Sequence, residues 1–174
     1  MDFDYVDDHR YYINILHGYI NINSVESYLK KIEGVEGKLS LSILTIPNYR
    51  VYSFEHLYWM LFIAKNRVID GINVSNSLLT ECLLVLSMTD QINKIDWLLK
   101  DNTKQDIFVV ILSEKEIVDE KCLSKIKTEI DLSEEKPVFK IKEALKYYNI
   151  DKKITSEDDP LKMIIENMAT GNNQ

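Results

Sequence analysis

Ile107-Phe108-Val109-Val110-Ile111-Leu112 is an unbroken apolar run between Asp106 and Ser113. Six residues are enough for a strand and too few for a stable helix, and β-branched side chains dominate the run. An apolar side chain at every position leaves neither face for water. The run therefore predicts a central strand buried on both faces.

Working outward, Leu39 to Ile46 alternates apolar residues with serine and threonine and stops at Pro47, a half-buried strand. Tyr11 to Leu16 reads as a first strand from its β-branched and aromatic content. Helical spacing occupies the rest. Asn23 with Glu26 resembles a capping pair for a short helix, Val25 to Ile32, ended by Gly34. Ser53 caps a helix to about Arg67, with Gly71 past its end. Ser75 is placed to cap a helix through Leu86, on which Leu78, Leu79, Cys82, Leu83 and Leu86 share a face. Ser87-Met88-Thr89 breaks that helix, and Thr89 opens the next, Asp90 to Leu99, with Trp97 pointing away from Ile92, Ile95 and Leu99. Ser113 and Glu116 form a capping box for a helix carrying Ile117, Cys122 and Ile126. Ile141 to Tyr148 is a further helix. A last one, Leu161 to Ala169, starts from Ser156 and the acidic turn before Pro160 and closes at Gly171. The predicted fold class is α/β: a single domain over residues 1–174, in which a small mixed β-sheet is packed with several helices.

The chain has 174 residues, enough for one domain with a real core. Five glycines and three prolines are too few for a linker-rich chain. The longest uncharged apolar run, Leu57 to Ala64, is eight residues, against about 20 needed to cross a bilayer. The acidic start, Met1 to Asp8, does not read as a signal peptide. Cys82 and Cys122 lie within apolar helical patterns, as buried free thiols of a reducing compartment do. A cytoplasmic location is expected. The net charge of −7, with arginine only at positions 10, 50 and 67, argues against a broad basic surface for nucleic acid. Any such contact must be local or shared with another protein.

No catalytic constellation is legible. The chain contains no Cys-x-x-Cys, no His-x-x-x-His and no glycine-rich phosphate loop. Asp7-Asp8-His9 fits a frayed terminus better than a metal site, and His17 and His56 stand isolated in sequence. Neither a catalytic residue nor a metal or other cofactor is expected. Two features suggest a partner instead. Trp97 faces away from its helix's apolar stripe. On the last helix Met163 points outward while Leu161, Ile164, Ile165 and Met168 make the core face. A covering neighbour helix explains both equally well.

The segment Asn76 to Ile92 carries a resemblance. Asn76, Glu81 inside a helix, the Ser87-centred break and Gln91-Ile92 opening the next element resemble the small kinase-binding subunit of the KEOPS complex, the CGI-type, TPRKB-like family. The likeness covers roughly residues 50 to 112 and, more loosely, the last helix. It implies a non-enzymatic α/β protein that binds the small atypical kinase/ATPase of that complex. It also implies a part in recruiting tRNA through its 3′ acceptor end for threonylcarbamoyl-adenosine modification. On this reading Met163, Ile164, Asn167 and Met168, with Trp97, are the expected kinase contacts. Lys65, Arg67, Asn76, Ser87 and Thr89 form the expected RNA patch, although the hydroxyls equally suit helix capping and the cations a helix C-terminus. The alternative is a small-molecule-binding α/β domain or an enzyme whose site assembles without a motif.

Overall fold

The apolar run lies in the C-terminal half of a longer strand, and every residue from Ile107 to Ser113 is buried. The computed structural model describes residues 11–94, 99–114, 118–155 and 158–171. In chain order the elements are β1 (Tyr12–Ile22), α1 (Val25–Leu39), β2 (Ser42–Pro47), α2 (Phe54–Ile69), α3 (Leu78–Leu86) and β3 (Thr103–Ser113). Then come α4 (Glu120–Glu129), β4 (Ser133–Glu134), α5 (Ile141–Tyr147) and α6 (Pro160–Thr170). The class is mixed α/β. Contacts divide the chain into one unit of residues 1–47 and 98–138 and another of residues 48–97 and 139–174.

The first unit holds a four-stranded sheet in the order β2-β3-β1-β4, antiparallel at each pairing. β1 pairs with β3 from Tyr12 opposite Ser113 to Ile22 opposite Thr103. β2 pairs from Ser42 opposite Leu112 to Pro47 opposite Ile107. β3 thus has a partner on both sides, as its composition requires. Its residues Ile107, Val109 and Ile111 share a core with Leu16, Ile20 and Ile22 of β1, Tyr28, Ile32 and Val35 of α1, and Leu123 and Ile126 of α4.

Several boundaries differ from the sequence reading. α1 does not stop at Gly34 but runs through Gly34 and Gly37 to Leu39. Each helical glycine costs about 1 kcal/mol relative to alanine, and the apolar stripe of Tyr28, Ile32 and Val35 outweighs that cost. Its cap is Ser24, which accepts from the Ser27 amide, not Asn23; Glu26 pairs with Lys30 at 2.7 Å instead. α4 is capped by Asp119, whose Oδ1 accepts from the Cys122 amide at 2.7 Å. Ser113 belongs to β3, and Glu116 and Ile117 lie outside the described residues. β1 continues past Leu16 to Ile22, because alternation resumes beyond Gly18 at the buried Ile20 and Ile22.

Gly18 is required by a close approach. A Cβ there would lie 2.2 Å from the backbone oxygen of Ser133 in β4. Backbone on both sides cannot yield as a side chain would. Gly18→Ala is therefore expected to cost about 1–3 kcal/mol, read as a lower urea midpoint. Hydrogen exchange should accelerate first at the Glu135 amide, which bonds the His17 carbonyl at 2.9 Å. An unchanged midpoint would mean that β4 shifts freely.

In the second unit α2 packs on α3 and α6, and α5 packs on the short turn Asn48–Arg50. Ser53 caps α2, accepting from the His56 amide, and α5 falls where expected. Ser77, not Ser75, caps α3, and Asp159 caps α6; Ser156 lies outside the described residues. The helix expected over Asp90–Leu99 is reduced, among the described residues, to a 3₁₀ turn at Ile92–Lys94. Thr89 Oγ1 accepts from the Gln91 amide at 3.2 Å, making a tight local turn, and Ile92 is exposed instead of facing a core. Ile95 and Trp97 lie outside the described residues.

Candidate functional site

A cluster of paired side chains in the second unit lies where α2 ends. Asp70 caps that end and Gly71 takes φ +67, so that the Ile72 amide donates to the Arg67 carbonyl at 3.0 Å and the Gly71 amide to the Val68 carbonyl at 3.2 Å. This Schellman turn reverses the chain over the last turn of α2. It leaves Val68, Ile69, Ile72 and Val74 exposed on one short stretch.

Glu81, in the first turn of α3, holds that stretch. Its side chain is fully buried. One oxygen accepts from the amides of Val74 at 3.1 Å and Ser75 at 3.2 Å, and the other meets the Arg67 guanidinium at 3.3 Å. Arg67, with a side chain 11% exposed, also reaches Asp90 Oδ1 at 3.1 Å. A buried carboxylate survives where its charge is paired and its lone pairs are used. Burial, with the Glu81 charge beside it, also pushes the Cys82 thiol far above its ordinary range, so it is inert as a nucleophile.

α3 ends without glycine. Met88 adopts φ +50, its amide donates to the Val85 carbonyl, and the Thr89 amide donates to the Leu84 carbonyl at 3.1 Å. This is again a Schellman turn, with methionine where glycine is usual, and it carries Ser87 and Thr89 into buried positions. Of the five residues expected to meet RNA, Asn76 is exposed and Lys65 and Arg67 are half-buried. Ser87 and Thr89 are buried in helix-end and turn geometry. α2, α3 and the turns that follow them bring all five into one unit.

On α6, Ile164 and Met168 are fully buried, whereas Met163 and Asn167 are partly exposed. The buried pair anchors the helix, and the other two stay partly accessible beside the exposed Lys162 and Glu166. Trp97, the fifth expected contact, lies outside the described residues. Met168 Sδ lies 3.2 Å from His56 Nε2, while His56 Nδ1 accepts from the Tyr52 amide at 3.2 Å. Burial lowers the His56 pKa to about 3. The ring is a neutral fixture of the α2–α6 contact.

His17, in the first unit, is not isolated in space. Its Nε2 lies 2.8 Å from Asp106 Oδ1, its Nδ1 lies 3.3 Å from the Glu135 carbonyl, and its ring packs 4.8 Å from Phe108. The pair joins β1, β3 and the residue after β4. Among the described residues no group of three or more histidine, cysteine, aspartate or glutamate side chains is placed to hold a metal ion. Among them, too, no helix is long and apolar enough to cross a membrane.

Sequence reasoning found Arg67 but missed what holds it. The available signal was a single charge, Glu81, inside the apolar stretch Leu78-Leu-Thr-Glu-Cys-Leu-Leu84. Asp90 had no such signal, being one of many surface carboxylates. No curated protein matches the chain. The family model described as kinase binding protein CGI-121 matches residues 19–172. That span includes the first unit from Tyr19 onward and all but the last two residues of the second, with the Arg67–Glu81–Asp90 cluster and α6. The chain belongs to the CGI-121 family of kinase-binding proteins.

Proposed function

We propose that this chain is a non-catalytic subunit of a cytoplasmic KEOPS-type complex. It binds the small atypical kinase/ATPase of that complex and helps recruit tRNA for threonylcarbamoyl-adenosine modification, residues 1–174 acting as one domain. The observation that carries the reading is the kinase-binding family match over residues 19–172. The buried, neutral His56 and the inert Cys82 support a binding role over a catalytic one. The partly exposed side of α6, with Met163 and Asn167, is the proposed kinase contact, held in place by the buried Ile164 and Met168. The end of α2 with Lys65, Arg67 and Asn76 is the proposed RNA contact, small enough that RNA binding by this chain alone is weak.

Burying a methionine side chain at an interface is worth about 1.5–3 kcal/mol, so Met163→Glu is expected to weaken kinase binding by about tenfold or more. The measurement is a calorimetric titration of wild type and variant with the purified kinase. Equal affinities would remove this side of α6 from the interface. Absence of binding by the wild type would overturn the kinase-subunit reading itself.

A further inference from the structure

Arg67 is held by two carboxylates of opposite character. Glu81 is fully buried and is bound also by the Val74 and Ser75 amides, so it cannot leave without stranding two backbone donors. Asp90 has a side chain 61% exposed and meets Arg67 through one contact of 3.1 Å. The Asp90 carboxylate also lies against Gly171, the C-terminal cap of α6: a Cβ at Gly171 would be 3.2 Å from its Oδ2. Free carbonyls at a helix C-terminus carry partial negative charge, which weakens the hold on a second anion there. One arginine between two carboxylates leaves the cluster with a net charge of about −1, which repels an incoming anion until one carboxylate withdraws.

We propose that Asp90 is a displaceable stand-in for a phosphate: a phosphate group of single-stranded RNA takes its place on the Arg67 guanidinium, and Asp90 turns to solvent. Glu81 stays, keeping the guanidinium aimed and the 74–75 backbone in place. The exchange deepens the RNA-contact reading above and rests on it for the identity of the ligand. It sets a threshold: Arg67 accepts an anion only when further contacts to the same ligand, at Lys65 or Asn76, make up for the lost ion pair. The side chain that opens Arg67 lies at the C-terminal end of α6.

The test compares wild type, Asp90→Asn, Asp90→Ser and the double variant Asp90→Asn/Arg67→Gln. Binding of a short fluorescein-labelled single-stranded RNA is read by anisotropy across a salt series. The Arg67 Nε–H resonance is followed while inorganic phosphate is added. Exposed ion pairs are weak, so both single variants are expected to bind RNA about two- to fivefold more tightly at low salt. Each should steepen the logarithmic salt slope by up to about 0.7, because no displaced carboxylate takes up a cation in exchange, and the double variant should lose the gain. Phosphate should shift the Arg67 resonance at lower concentration in the single variants than in wild type. RNA binding that is the same in wild type and single variants would overturn the exchange and leave the RNA-contact reading standing. If no protein binds RNA yet phosphate shifts Arg67 more readily in the variants, the exchange stands and RNA is the wrong ligand. Equal phosphate responses would overturn it outright.

Discussion

Glu81→Ala is expected to lower the unfolding free energy by about 3–5 kcal/mol, a large share of the stability of a domain this size. The substitution leaves a cavity on the buried face of α3, takes from the Val74 and Ser75 amides the carboxylate that accepts from them, and leaves Arg67 with the exposed Asp90. Each loss is costly because the side chain it removes is fully buried. Glu81→Gln keeps the shape and a carbonyl oxygen for the two amides, so it should cost less, about 1–3 kcal/mol for the lost charge. Urea unfolding of both variants checks the order. A surface ion pair would show about 0–1 kcal/mol for either, and that result would deny Glu81 its structural part.

Acid should destabilise the protein through His56 well before most carboxylates are protonated. The folded ring has a pKa lowered to about 3 from 6.5 because burial disfavours its charged form. Unfolded, the same ring takes a proton near its ordinary value. Below about pH 6.5 the unfolded chain binds one proton that the folded chain refuses. Stability from this group is therefore complete above pH 6.5 and falls by about 1.4 kcal/mol per pH unit on the way down to about pH 3. By pH 4.5 that is about 3 kcal/mol. His56→Asn keeps an acceptor for the Tyr52 amide and removes the titration. It should be less stable than wild type at pH 7 but lose less between pH 6.5 and pH 4.5. Parallel losses in the two proteins would show that the ring is not the acid-sensitive group.

Elements whose pattern is dense were legible from the chain alone. Ile107–Leu112 specified a buried central strand because no alternative leaves so many adjacent apolar side chains out of water. Ser53 and Gly71 marked both ends of α2 through local chemistry, a side-chain oxygen for a free amide and a residue free to take positive φ. α5 and the body of α6 were equally clear. Boundaries set by packing were not. Nothing local says that α1 should run through Gly34 and Gly37, since the gain lies in a core shared with β3 and α4, distant in sequence. β4 is two polar residues, defined only by pairing with Gly18 and Tyr19.

For the site, the sequence by itself determined the family and the lack of a motif for catalysis, and made the segment from Lys65 to Thr89 a candidate. Those features reside in residue types and their spacing, which folding does not alter. Only the tertiary structure decided which of those residues face water. Ser87 and Thr89 went inside with a Schellman turn formed on methionine, and Ile164 and Met168 became anchors of α6. It alone decided that Arg67 is shared by Glu81 and Asp90, 14 and 23 positions further along the chain. An ion pair depends on the distance between charges in space and on how much water lies around them. Neither quantity is written in a sequence until the chain has folded.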